Sequence, residues 1–337
     1  MNLVRAELER LSARRFVQLM VVLLVLAFGI TAATTLAGSH RPTATELAEA
    51  QRQAAEERRN LEVIHEQCLA RERGVLPPEQ ADQYYPPNCS EVDPALRDRL
   101  PVAADYLVGV FTFATEARPL LYFLIAFLVL FGFLVGASYI GADLNSGGVV
   151  NLLLWRPRRM TVLGAKLGTL LAGMLALSLA ASVVYLGAFW FIGQAAGQPG
   201  HLDEEFWRSL GTLWGRGLVL VLLATALGFA IATLGRHTSA ALGAVAAYLV
   251  VWELGARLVF EILEVARPDQ LMLSSHLAAW LTGRAEFWDN RACAGVFDGS
   301  CDGFYALTWA PALVVLVTLT AALTAAAFAL FRRRDLI

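Results

Sequence analysis

Six long apolar segments constrain this chain more than any other feature of its sequence. A helix needs about 20 predominantly apolar residues to cross roughly 30 Å of hydrocarbon. With 57% hydrophobic residues and a mean hydropathy of +0.55, the chain is too apolar for a soluble domain of 337 residues. We therefore predict an all-α polytopic membrane protein with six transmembrane helices. The candidate spans cover residues 16–38, 119–142, 163–193, 210–234, 239–263 and 309–331.

Basic residues in the short connections predict the orientation of these spans. Several arginines precede the first span, lie between the second and third, and follow the sixth, and Arg236 lies between the fourth and fifth, whereas residues 194–205 contain no Lys or Arg. Short basic connections favour the cytoplasmic side. Both termini, including the tail 332–337, are therefore predicted to be cytoplasmic, and residues 39–118 and 264–308 extracellular. The expected membrane is the bacterial plasma membrane.

The four cysteines fall in the two regions predicted to be outside. Cys68 and Cys89 lie in the first region, and Cys293 and Cys301 in the last. Three pairings are possible, and the local one, 68 with 89 and 293 with 301, closes the shortest loops. Disulfides persist in oxidising compartments, so this pairing agrees with the predicted topology. The alternative is four unpaired thiols.

Residues 39–118 predict a helical extracellular domain. Thr43 and Glu46 have the spacing of a capping box. The apolar positions that follow have nearly the spacing of a coiled-coil seam, which requires one partner helix. We expect residues 93–115 to provide it, in a hairpin held by the disulfide. A cap over a transport exit, a docking site for another extracellular protein and a domain without any ligand all remain open as its role.

The first 15 residues precede the first span and are predicted to form a short amphipathic helix. Val4, Leu8 and Leu11 share one helical face. A helix of this kind lies in the inner membrane interface. A disordered basic tail is the alternative interpretation.

Residue patterns typical of catalysis or cofactor binding are lacking. The five histidines have no metal-ligand spacing, and Ser274 and His276 are too close in sequence to face each other on a helix. A phosphate-binding loop requires Lys followed by Ser or Thr, but the only lysine, Lys166, precedes Leu167. A net charge of −2 gives no basis for nucleic-acid binding. We expect no metal, no cofactor and no enzymatic activity in this chain.

The connection 143–162, on the predicted cytoplasmic side, contains a short apolar run. Residues 149–155 would form a helix about 10 Å long, a third of a bilayer. Asn145 or Ser146 can cap this helix, and Pro157 can end it. Such an apolar helix must be covered by the membrane interface, by the protein's own spans or by a partner.

Residues 136–171, GASYIGADLNSGGVVNLLLWRPRRMTVLGAKLGTLL, resemble the signature of ABC-2 type transporter permeases, the membrane subunits of ATP-binding-cassette exporters. The family pattern has small residues at the end of span two, an acidic residue, a glycine, an apolar segment, a proline with basic neighbours and a lysine that begins span three. The first 15 residues also resemble the family's interfacial helix, and residues 252–309 its partly re-entrant segment. The matching positions are Asp143, Gly147, Gly148, Pro157, Arg159 and Lys166.

The resemblance implies a mechanism and a set of partners. Two permeases, identical or related, would pair with two cassette ATPases that bind ATP and Mg, and would export an amphiphile, drug-like molecule, lipid or peptide. The large region 39–118 departs from the minimal family pattern and leaves the substrate open. The residues implied in coupling to the ATPase are Asp143, Asn145, Ser146, Val150, Leu153, Trp155, Arg156, Arg158 and Arg159.

Charged residues within the predicted spans suggest a possible translocation pathway and an alternative function. Glu253, Arg257 and Glu261 lie on one helical face, where they can pair, and Arg216 is expected to reach the outer surface or to face the interior of a dimer. An ion-coupled carrier using these charges is the alternative to an ATP-driven permease. A receptor or scaffold built on the extracellular domain is a third interpretation.

Overall fold

The computed structural model describes residues 7, 9–75, 88–97, 100–146, 159–289 and 303–333. These residues are mostly helical. They include six helices that are long and apolar enough to cross a membrane. The prediction of a polytopic all-α membrane protein is therefore confirmed.

The helices extend beyond the apolar spans because a helical backbone continues into polar sequence until a cap or turn ends it. We number the helices in the order of the chain. They are α1 (Arg15–Ala37), α2 (Ala44–Glu72), α3 (Phe113–Asn145), α4 (Arg159–Ala196), α5 (Glu204–Gly235), α6 (Thr238–Tyr248), α7 (Arg257–Ile262), α8 (Leu273–Thr282) and α9 (Trp309–Arg333), with a π-helical segment at Leu249–Ala256 joining α6 to α7.

Helices α3 and α5 form the centre of the bundle and make its most extensive helix contact. Two glycines allow the backbones to approach closely. A β-carbon at Gly136 would collide with the carbonyl of Thr225, and one at Gly228 would collide with the carbonyl of Phe133. Small residues of this kind permit close helix packing within membranes. The span formed by α6, the π-helical segment and α7 instead exposes large apolar side chains around the centre. Helix α1 does the same, as expected for contact with lipid.

At one end of the bundle, helix α2 belongs to a disulfide-bonded domain. The capping box of Thr43 and Glu46 is confirmed, and the backbone N–H of Thr43 lowers the pKa of the Glu46 carboxyl. A disulfide joins Cys68 to Cys89, with their Cα atoms 5.6 Å apart, as the local pairing predicts. Cys293 and Cys301 lie outside the described residues.

The partner predicted for α2 at residues 93–115 is not a long helix. Short 3-10 turns at Cys89–Glu91, Pro94–Leu96 and Ala103–Tyr106 pack against α2 instead, and α3 begins at Phe113. Pro101 would lie in the interior of a helix over 93–115 and would remove a backbone donor that such a helix uses, so the helical-hairpin prediction is wrong. The turns still cover the apolar face of α2, where Leu61 is buried.

Two small strand pairs complete the fold at the same end. β1 (Phe111–Thr112) pairs in parallel with β2 (Gly197–Gln198), with Phe111 opposite Gly197. β3 (Arg284–Trp288) pairs antiparallel with β4 (Phe304–Thr308), with Arg284 opposite Thr308. The β3–β4 pair follows the ten-residue helix α8, which packs between α5 and α9.

Candidate functional site

A buried ion pair joins the two helices that flank residues 147–158. Lys166 Nζ, near the start of α4, lies 2.8 Å from Asp143 Oδ2, near the end of α3. The same ammonium group lies 2.9 Å from Glu7 Oε2 in the leader segment that precedes α1. Lys166 and Glu7 are almost fully buried, and Asp143 is about four-fifths buried. Three separate parts of the chain therefore meet at one lysine.

Arg14 and Tyr139 complete this cluster. The Arg14 guanidinium pairs with Asp143 and also donates to the backbone carbonyl of Tyr139 at 2.8 Å. The Tyr139 hydroxyl donates to Glu7, while its ring lies 4.6 Å from the Arg14 guanidinium and 4.9 Å from Lys166 Nζ. We call Glu7, Arg14, Tyr139, Asp143 and Lys166 the ion cluster.

Two carboxylates face two cations within the ion cluster, and the more exposed Arg10 adds a third cation, with its Nη1 3.5 Å from Glu7 Oε1. Each ion has at least two partners: Glu7 accepts from Tyr139 and Lys166, and Asp143 accepts from Arg14 and Lys166. A buried charge that loses its partner is strongly destabilising. The cluster can therefore hold the leader, α3 and α4 together as one unit at this end of the bundle.

The structure places the predicted coupling residues in different surroundings. Asp143 points into the ion cluster, Asn145 is the last residue of α3, and Ser146 ends that helix by donating its N–H to the Ala142 carbonyl. The two proposed cap residues thus belong to the preceding helix, because α3 continues past its apolar span. Arg159 begins α4. Val150, Leu153, Trp155, Arg156 and Arg158 lie outside the described residues.

Glu253, one of the predicted pathway residues, caps a neighbouring helix. Its carboxylate accepts from the backbone N–H of Ser274 at 3.0 Å, from the Ser274 hydroxyl at 2.7 Å and from the Tyr248 hydroxyl at 2.8 Å. Ser274 lies in the first turn of α8, where helical N–H groups have no partner within the helix. Arg257 pairs with Asp269 at 3.4 Å. The expected pairing of Glu253 with Arg257 is therefore wrong, because each side chain has its partner later in the chain, Ser274 for Glu253 and Asp269 for Arg257.

Arg216 faces helix α8. Its guanidinium donates to the Leu281 carbonyl at 3.3 Å and lies 5.8 Å from the centre of the Trp280 ring, whose N–H donates to the Arg216 carbonyl at 3.0 Å. Arg216 thus packs α5 against α8 within one chain. Neither expectation for this residue included that contact.

A family model described as ABC-2 family transporter protein matches residues 1–336. The chain belongs to this family. No curated protein sequence matches it. Membership in the ABC-2 family makes the chain a multi-pass membrane permease, a transport subunit of the kind that associates with an ATPase subunit and dimerises.

Within this ABC-2 permease, the resemblance singled out Asp143 and Lys166 but gave no reason to expect their contact. Sequence reasoning missed Glu7 and Tyr139 altogether and used Arg14 only as a marker of topology. One signal was available for Glu7. On a helical wheel it falls beside Leu11 on the apolar face of the leader, where a carboxylate needs a partner.

Proposed function

We propose that this permease exports an amphiphilic small molecule, drug, lipid or peptide across a bacterial plasma membrane, using ATP that a separate subunit binds with Mg and hydrolyses. Family membership and the six apolar helices support the role of membrane subunit. The disulfide between Cys68 and Cys89 supports an extracellular position for residues 39–118, because disulfides persist in oxidising compartments. Two copies, or this chain and a related one, would form the pathway.

The ion cluster is the observation that carries the proposed coupling mechanism. Residues 147–158, with the apolar run 149–155, would dock on the ATPase. The helices on either side of that segment are joined to each other and to the leader by Lys166, Asp143 and Glu7. A force applied by the ATPase would then move α3 and α4 as a unit, since separating these ions within the protein is costly.

Docking of the segment is tested with Val150→Glu and Leu153→Glu in permeases that reach the membrane at normal levels. Burying one Val or Leu is worth about 1.5–3 kcal/mol, and inserting a charge adds a desolvation cost. We expect recovery of the co-purifying ATPase to fall about 100-fold or more.

A matched control introduces the same charge elsewhere. Val63 is an exposed apolar residue on α2, so Val63→Glu should leave ATPase recovery unchanged. Undiminished ATPase recovery and undiminished transport-stimulated ATP hydrolysis in both segment variants would exclude this docking site. A loss in Val63→Glu as well would indicate a general assembly defect.

The hydrogen bonds of Glu253 weigh against the ion-coupled carrier. A carrier carboxylate must exchange its ion or proton, whereas Glu253 already accepts three hydrogen bonds, two from Ser274 of α8 and one from Tyr248 of its own span. A structural role accounts for this intramembrane charge without a transported ion. Family membership likewise favours the ATP-driven permease over the receptor or scaffold.

A further inference from the structure

An arginine-rich cleft of about 1200 Å³ lies at the end of the bundle that carries the disulfide-bonded domain. The first turns of α3, one face of α5, the end of α8 and strand β3 form its walls. Spacings of four residues place Arg208, Thr212 and Arg216 along that face of α5. The charged residues of its lining are Arg118, Arg208, Arg216, Arg284, Glu205 and Glu286.

Positive charge in the cleft exceeds the negative charge that neutralises it. Arg284 pairs with Glu286 at 2.9 Å, and Arg208 pairs at 3.6 Å with Glu204, just outside the cleft. These pairs are solvent-exposed and hold their side chains only weakly. Arg118 has no hydrogen bond or ion pair with any residue that the structure describes. Arginine is always protonated in proteins, so the cleft attracts anions.

Arg216 is held in place without a carboxylate among the described residues. The Leu281 carbonyl and the Trp280 ring fix its guanidinium, which also lies against Gly283, where an added β-carbon would be 2.8 Å from Nη1. Gly283 has a φ of 93°, a conformation that favours glycine. The carbonyl occupies only part of the five-donor guanidinium, leaving N–H groups for a ligand.

The remaining lining combines hydroxyl-bearing side chains with the apolar Leu213 and Leu281. The Ser209 and Thr212 hydroxyls donate to carbonyls of their own helix, so the arginines supply the donors. Tyr122 is exposed within the cleft, and the next residue, Phe123, is exposed on the surrounding apolar surface. An anionic group in the cleft could thus remain attached to a chain lying along the lipid-facing surface.

We propose that this cleft binds the phosphate or carboxylate group of an anionic amphiphile, with Arg118 and Arg216 as the principal contacts. The inference rests on the proposed export function in one respect, that the bound amphiphile is a substrate on its outward route. Binding itself requires only the permease. It can therefore be measured without the ATPase.

The experiment uses purified full-length permease in a neutral maltoside detergent and three probes. Dodecyl phosphate carries both an anion and a chain, dodecylphosphocholine carries the same chain with its charge cancelled, and inorganic phosphate lacks the chain. Dissociation constants are measured for the unmodified protein, Arg118→Gln, Arg208→Gln and Arg216→Gln. Arg52→Gln is the control, because Arg52 is an exposed arginine on α2 outside the cleft.

We expect saturable binding of dodecyl phosphate, about tenfold weaker in Arg118→Gln and unchanged in Arg52→Gln. Arg216→Gln should weaken binding at least as much, but it also removes a contact with α8. Arg118→Gln and Arg208→Gln test the site without disturbing the packing of α8. Equal affinity for dodecylphosphocholine, or unchanged affinity in Arg118→Gln, would overturn the proposal. Equally tight inorganic phosphate would overturn its assignment to an amphiphile. The ATPase-recovery experiment does not depend on this cleft, so a negative binding result would leave the test of the ATPase-docking segment unaffected.

Discussion

Lys166 Nζ lies 2.8 Å from Asp143 Oδ2, although 23 positions separate the two residues in the chain. The pair closes the loop that contains the proposed ATPase-docking segment. Glu7 binds the same ammonium group, so the leader shares this closure. The ion pair thus links residues 147–158, which are cytoplasmic in the proposed orientation, to α3 and α4, the two longest of the six membrane-spanning helices.

Lys166→Met should lower the free energy of unfolding by about 3–5 kcal/mol, because it removes the buried cation that Glu7 and Asp143 share and leaves Asp143 with Arg14 and Glu7 with the exposed Arg10, 3.5 Å away. The measurement is denaturant unfolding of the purified permease, followed by tryptophan fluorescence. Combining Lys166→Met with Glu7→Gln removes one of the stranded charges and should restore part of the loss. Wild-type stability in the single variant would contradict a structural role for the cluster.

Tyr139→Phe should destabilise the protein less than Lys166→Met. The ring beside Arg14 and Lys166 is retained, but Glu7 loses one hydrogen-bond donor, at a cost of about 1.5–3 kcal/mol for a charged acceptor. Tyr185 provides a matched control, since its buried hydroxyl has no partner among the described residues. The same unfolding assay should show Tyr185→Phe to be neutral or stabilising, and equal losses in the two variants would count against the cluster.

Much of the fold could be predicted because apolar length and helix caps are local signals. The six spans follow from runs of apolar residues, and the first turn of α2 follows from Thr43 and Glu46. The ion cluster could not be predicted in the same way. The position of Glu7 on the apolar face of the leader indicates that its carboxylate needs a partner, but only the packing of the leader against α3 and α4 identifies that partner as Lys166.

The incorrect expectations share this dependence on long-range contacts. The apolar face of α2 correctly indicated a covering partner, but three short 3-10 turns provide it as well as a helix would. Glu253 and Arg257 have the spacing of an ion pair, yet Ser274 and Asp269 lie closer to them in the folded chain. Helical spacing identifies side chains that can meet, and tertiary packing decides which of them do.

Leu61→Asp should unfold the disulfide-bonded domain, because Leu61 is buried against the turns and about 1.5–3 kcal/mol of burial is lost along with the cost of desolvating a charge. Val63→Asp introduces the same charge two positions away at an exposed site and should have little effect. Limited proteolysis of intact cells that express each variant measures the difference. Equal protease resistance of the two variants would show that this face of α2 is not packed.

Glu253→Ala should loosen the first turn of α8 without unfolding the bundle. The substitution removes the acceptor of the Ser274 backbone N–H and hydroxyl, and loss of a helix cap costs about 0.5–2 kcal/mol. Glu253→Gln retains an acceptor oxygen and should fall between Glu253→Ala and the unmodified protein. Hydrogen exchange of the α8 amides, measured by mass spectrometry, should be fastest in Glu253→Ala, intermediate in Glu253→Gln and slowest in the unmodified protein.

Glu261→Ala is the control for this comparison, since Glu261 is an exposed glutamate on α7. It should leave exchange in α8 unchanged. An ion-coupled carrier predicts a different pattern, in which Glu253→Gln abolishes transport while α8 keeps its normal exchange rate. That result would restore Glu253 as a pathway residue. Faster exchange at Ser274, with ATP-dependent transport retained, would instead identify Glu253 as the cap that fixes α8 beside the arginine-rich cleft.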